Sequence, residues 1–91
     1  MKFKSNLLQI LEMSKKETSF TYAASNAITI LNQAQFIFNF MDLSGVCIPE
    51  ANLSQAMLTG TNLSKANLQG VNFRQAHLQN CNMSLSNLTG V

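Results

Sequence analysis

The sequence predicts a mainly β chain: a stacked coil that turns a corner every five residues, with two α-helices ahead of it. Three observations carry this. First, counting in fives from Leu43 gives Leu43, Ile48, Leu53, Leu58, Leu63, Leu68, Phe73, Leu78, Met83 and Leu88, all large and apolar. With 46% hydrophobic residues in the 91-residue chain, ten such positions in a row arise by chance roughly once in 2,000 tries. Second, the residue two places earlier is Met41, Val46, Ala51, Ala56, Thr61, Ala66, Val71, Ala76, Cys81 or Ser86, mostly small, and the residue just before is Asp or Asn in seven of the ten units. Third, residues 1–35 show the spacing of helices instead.

A period of five fits neither regular element alone. On a cylinder with 3.6 residues per turn the apolar stripe drifts around the axis. In one long strand an odd period sends successive large residues to opposite faces. The period works when each five-residue side points its central residue and the residue two before it inward. Four such sides close a square, and squares stacked at strand spacing, about 4.8 Å, pair their backbone groups.

Ala51-Asn52-Leu53-Ser54-Gln55, Thr61-Asn62-Leu63-Ser64-Lys65, Ala66-Asn67-Leu68-Gln69-Gly70 and Ser86-Asn87-Leu88-Thr89-Gly90 resemble the A-(D/N)-L-x-x unit of the pentapeptide-repeat family. The resemblance covers just over half the chain. It implies a right-handed quadrilateral β-helix with four units per coil, hence about two and a half coils here, capped by the two N-terminal α-helices. Leu43, Leu63 and Met83 then stack on side one and Ile48, Leu68 and Leu88 on side two. Leu53 stacks on Phe73 on side three, and Leu58 on Leu78 on side four. The Asn positions form ladders whose amides bond to one another and to the turn backbone.

Two regions follow: a helical cap, 1–35, and the repeat, 36–91. A first helix is expected from Asn6 to Lys16, with Leu7, Leu8, Ile10 and Leu11 on one side and Asn6 with Gln9 as a capping box. A second begins after Thr18 or Ser19, where Phe20, Ala23, Ala24, Ala27, Ile28, Leu31 and Ala34 recur at helical spacing. This helix serves as a lid over the open first coil; a helix offered to another protein is the rival reading. Gln35 to Phe40 alternates like a strand leading into the coil, and Phe38 already falls in the register.

Net charge is +2, all of it from the first 17 residues, where Lys2, Lys4, Lys15 and Lys16 outweigh Glu12 and Glu17. The repeat has only Asp42, Glu50, Lys65 and Arg74. A nearly neutral coil offers no stripe that tracks phosphates, so no nucleic-acid partner is expected. No apolar run is long enough to span a membrane, and no membrane partner is expected. The start Met1-Lys2-Phe3-Lys4 only faintly resembles a signal peptide, because Asn6, Gln9 and Glu12 interrupt the apolar run. Cys47 falls on an outward position and Cys81 on an inward one, nearly two coils apart. Free thiols and a reducing, cytoplasmic compartment are expected.

Nothing converges as a catalytic site, and the chain is read as no enzyme, with no metal and no cofactor. His77 and Cys47 lie on opposite walls, and Asp42, Cys47 and His77 project from three different sides. The departures from the repeat are more informative. Cys47, Met57 and His77 stand where Asn or Asp is usual. Met57 and His77 share a column on side four, and with Thr59, Gln79 and Asn80 they form a candidate partner-binding face, a methionine being an adaptable contact; simple drift of the repeat is the plainer reading. The leading function is a non-catalytic protein-interaction or scaffold module, part of a larger repeat-containing protein, with a protein partner. The alternative comes from the family resemblance: some members imitate duplex DNA and protect type II topoisomerases, but those rods are strongly acidic. The last coil, ending at Thr89-Gly90-Val91, is expected either to continue into a longer protein or to stack on a second copy as a homodimer.

Overall fold

Every fifth residue from Gln35 to Gly90 has a positive φ, between 59° and 73°. From Phe40 on, each sits third in a tight turn closed by a bond such as Val46 N–H to Leu43 C=O at 3.2 Å or Val71 N–H to Leu68 C=O at 3.0 Å, the backbone of a type II turn. Only four of these corners are glycine; Gln35, Phe40, Glu50, Gln55, Lys65, Gln75, Asn80 and Leu85 take the left-handed conformation with a side chain. Between corners one residue per side pairs with the next turn. The parallel bridges join Ile37 to Met57, Asp42 to Asn62, Cys47 to Asn67 and Asn52 to Asn72, and then Met57 to His77, Asn62 to Asn82 and Asn67 to Asn87. This architecture belongs to a computed structural model that describes residues 2–91; Met1, which opens the basic start of the chain, lies outside them.

The expected mainly β, right-handed quadrilateral β-helix needs correction. Among the described residues the bridges are isolated, no strand and no sheet forms, and the two α-helices hold more of the chain than the bridging positions do. The physical reason is the corner frequency. A left-handed residue every five places leaves one bridging residue per side, too few for the consecutive pairs that make a ladder. The coil is a pile of turns joined by single rungs.

The first helix, α1, spans Lys2–Ser14 and the second, α2, Thr21–Gln33, with a 3-10 turn at Thr18–Phe20 between them. α1 begins four residues before the expected start, so Asn6 is interior and caps nothing. α2 ends in a Schellman arrangement: Phe36 N–H donates to Leu31 C=O at 3.0 Å and Gln35 N–H to Asn32 C=O at 2.9 Å, with Gln35 at φ 63°. Gln35 is therefore both the end of the helix and the first corner of the coil. The alternation expected for Gln35–Phe40 stops there too: Phe38 is buried, but Phe40 occupies a corner and is 79% exposed.

One apolar core runs through both regions. Leu7 and Leu11 of α1 and Ala24, Ala27, Ile28 and Leu31 of α2 join Phe38, Leu43, Ile48, Leu53, Leu58, Leu63 and Leu68 in a single cluster. Phe73, Leu78 and Met83 are partly buried. Leu88, expected inward, is 45% exposed; it lies one turn above the buried Leu68.

Backbone pairing explains how the helices attach. In each upper turn the bridging residue turns its N–H and C=O toward the turn below, as does the carbonyl two residues later. Asn62 N–H bonds Met41 C=O at 2.9 Å, Leu43 N–H bonds Asn62 C=O at 2.7 Å, and Gly45 N–H bonds Ser64 C=O at 2.8 Å. The first turn has no turn below it, and side chains of the helical region meet several of its groups instead. Cys47 N–H donates to Ser14 Oγ at 3.2 Å and Asn52 N–H to Thr29 Oγ1 at 3.0 Å. Ser25 Oγ donates to Pro49 C=O at 2.7 Å, and Lys15 Nζ to Asp42 C=O at 3.2 Å. Asn32 Nδ2 reaches both Asn52 C=O at 3.3 Å and Ser54 C=O at 2.9 Å.

Asn32→Ala removes both of the last contacts from part-buried carbonyls and should destabilise the protein by about 2 kcal/mol, read as a lower urea midpoint with unchanged m-value. At the corners, Lys65→Val should lose about 1–2 kcal/mol because a β-branched residue resists the left-handed region, whereas Lys65→Gly should stay within about 1 kcal/mol of the parent. Thermal unfolding of the three proteins side by side checks the order.

Candidate partner-binding face

Side four comprises residues 36–40, 56–60 and 76–80, and its outer column is Ile37, Met57 and His77. Leu58 N–H donates to His77 C=O at 3.0 Å, His77 N–H to Ala56 C=O at 2.9 Å, and Gly60 N–H to Gln79 C=O at 2.8 Å. The backbone thus fixes Met57 under His77 and Thr59 under Gln79. Thr59 Oγ1 lies 3.4 Å from Gln79 Oε1, donating to it. Met57 and Thr59 are half-buried; His77, Gln79 and Asn80 are exposed.

Elsewhere the residue before the large apolar one braces its own corner. The Oδ1 of Asp42, Asn52, Asn62, Asn67, Asn72, Asn82 and Asn87 each accepts from the N–H two residues on, at 2.8–3.1 Å. These are Asx turns. The expected amide-to-amide bonds along the ladders are not formed among the described residues; the side chains serve the corners instead.

The three departures are accommodated differently. Opposite Cys47 the residue two on is Pro49, which has no N–H to satisfy. Under Met57, the Thr59 N–H is taken by Asn39 Oδ1 from the turn below, at 2.9 Å. Met57 therefore has no bracing duty. His77 donates and accepts through its backbone only.

Two exposed apolar residues belong to the same face and were not singled out from the sequence: Ile37, 59% exposed, and Phe40. Ile37 bridges Met57, so counting back one turn from Met57 would have found it. The ring of Phe40 lies against the Gly60 corner, where a Cβ would stand 2.5 Å from Phe40 Cδ1. Glycine there leaves room for the aromatic ring. A groove of about 570 Å³ opens beside this face, and its lining includes Asn32, Gln35, Phe36, Ile37, Gln55 and Met57, with no charged residue.

The remaining reactive side chains are scattered. Cys47 Sγ lies 3.1 Å from Thr21 Oγ1, and Asn67 Nδ2 donates to it at 3.6 Å. Cys81 is half-buried against the core, and that burial pushes its thiol pKa up. Both thiols are free. Among the described residues no three His, Cys, Asp or Glu side chains gather closely enough to hold a metal ion, and no helix is long and apolar enough to cross a membrane.

The family model for pentapeptide repeats matches this chain in eight copies, over residues 37–75 and 66–91. No curated protein and no solved structure matches it. The match spans more than half of the chain and the coil it covers repeats in fives, four units to a turn. The chain belongs to the pentapeptide-repeat family. It is a repeat-protein module.

One titration can be anticipated. The Ser44 hydroxyl and the Ser44 N–H both donate to Asp42 Oδ1, at 2.6 and 3.0 Å, and hold its carboxyl below the ordinary aspartate value. A depressed folded-state pKa contributes stability above the unfolded pKa, and that contribution is lost as pH falls through the folded one. In Ser44→Ala the Asp42 carboxyl should titrate higher, moving back toward the ordinary value, as followed by its carbon chemical shift against pH.

Proposed function

We propose that this chain is a non-catalytic interaction module that presents side four to a protein partner. The observation that carries this reading is the uncharged, partly apolar column of Ile37, Met57 and His77, flanked by Phe40 and bordered by an open groove. The bond from Thr59 N–H to Asn39 Oδ1 supports it, because it relieves Met57 of the bracing role that Asn has elsewhere. Met57 is half-buried, with the exposed Ile37 below it and Phe40 at the neighbouring corner; a methionine is an adaptable contact, and apolar patches of this kind mark association surfaces. Thr59, Gln79 and Asn80 supply the polar rim that specific interfaces carry.

Imitation of duplex DNA is a poorer fit. The coil has only Asp42 and Glu50 as acids, set against Lys65 and Arg74, so it lacks the charge density of a phosphate backbone. The two free thiols support a reducing, cytoplasmic setting.

Met57→Asn and His77→Asn restore the residue usual at their positions and so keep the coil intact. The double variant should retain its unfolding midpoint and lose at least about tenfold in affinity for a partner captured by the parent protein. Undiminished capture would remove side four from the reading.

A further inference from the structure

We infer that the lower edge of side four is a docking edge for an extended, uncharged peptide segment of a partner protein, which adds one parallel rung beneath Ile37–Asn39. This rests on the reading of the chain as an interaction module and names the kind of partner it takes. The starting point is the uneven way in which the helical region meets the first turn. On side three Thr29 and Asn32 meet all the downward groups: the N–H and C=O of Asn52 and the C=O of Ser54. On side two Ser14 and Ser25 meet Cys47 N–H and Pro49 C=O. On side one Lys15 meets Asp42 C=O. On side four the corresponding groups are Ile37 N–H, Ile37 C=O and Asn39 C=O, and no described residue meets any of them.

Among the described residues these groups have no hydrogen-bond partner. Ile37 is largely exposed, and the uncharged groove lies beside it. On one flank α1 begins, with Lys4 Nζ 5.8 Å from the Phe36 ring. On the other α2 ends, with Asn32 and Gln33 lining the groove. Edge backbone left unpaired between two helices is a template for strand addition, in which main-chain bonds give affinity and side-chain pockets give specificity. The absence of charge from the groove lining selects an uncharged segment, since a buried unpaired charge is costly.

The register follows from the turns above. The incoming segment must accept at one carbonyl, donate the N–H two residues later, and donate the next N–H two residues beyond that. The chain's own second turn offers this set to the third: Ala56 C=O accepts from His77, Leu58 N–H donates to His77 C=O, and Gly60 N–H donates to Gln79 C=O. An acetylated and amidated peptide copying Gln55–Thr61, which has no charged residue, is therefore a suitable probe.

The test adds this peptide at millimolar concentration to the full chain and follows backbone amide shifts and hydrogen exchange. Shifts should move at Ile37, Phe38 and Asn39, and the Ile37 amide should gain about tenfold protection. A peptide N-methylated at its Leu58 and Gly60 amides loses both donated bonds and should bind about tenfold or more weakly. Equal binding of the methylated peptide, or an Ile37 amide left unprotected, overturns the inference. So does protection without peptide that grows with protein concentration, which assigns the edge to a second copy of the chain. The two readings fail separately. If the partner of the parent protein is lost with Met57→Asn and His77→Asn but Ile37 stays unprotected, only the edge falls. If the edge is protected while those substitutions leave partner capture unchanged, only the face falls.

Discussion

A pile of backbone turns has two ends, and at each end a ring of N–H and C=O groups lacks the neighbour that pairs it elsewhere. Buried without partners, each such group destabilises the fold by an amount comparable to a lost hydrogen bond. In this protein side three of the first ring is fully met, and sides one and two in part, by short hydroxyl and amide side chains on α2, by Ser14 at the end of α1 and by Lys15 just after it. Those bonds dictate where the helices lie. Asn32 stands in for two backbone donors at once, and Ser25, Thr29 and Asn32 occupy one helix face at the i, i+4, i+7 spacing. The apolar residues of the same helix, Ala24, Ala27, Ile28 and Leu31, close over the core beside them. The lid is thus a polar fit to a backbone edge combined with an apolar fit to the stack inside it.

The same logic separates the sides of the coil. Side three is fully met from below and side four is not, although the two carry almost the same backbone. On side four the Asn that usually braces a corner is also missing, in Ile37, Met57 and His77. A bond reaching across turns from Asn39 takes over the task at Thr59. Side four is accordingly where the outer surface is least committed to holding the coil together.

Much of this was legible in the sequence, and the rest was hidden for physical reasons. The apolar period of five identifies which residues face inward, and counting in twenties places Met57 under His77. Amphipathic spacing reveals both helices, but α1 starts at Lys2 because nothing about Asn6 forces a start there; the polar residue is tolerated on an exposed turn. The strand content was overestimated because the corners are invisible in composition: Gln55, Lys65 and Phe40 carry no mark of a left-handed conformation, yet each adopts one. The lid's attachments were hidden for the opposite reason. Ser25, Thr29 and Asn32 look like solvent-facing interruptions of an apolar helix, and only the backbone they meet gives them a role.

Gln35, where α2 ends and the first corner begins, has a consequence for how the chain assembles. It hands a rhythm of 3.6 residues over to one of five at a fixed phase. Each later turn then closes a loop of the same span, from a residue to the one twenty places on. Loop-closure entropy rises only slowly with loop length, and spans of equal length cost similar entropy to close. As the chain emerges from the ribosome, the helices come first and each new side finds its template already built. Growth of this kind is a zipper started at one end, and its speed is set by the local step rather than by the length of the finished protein.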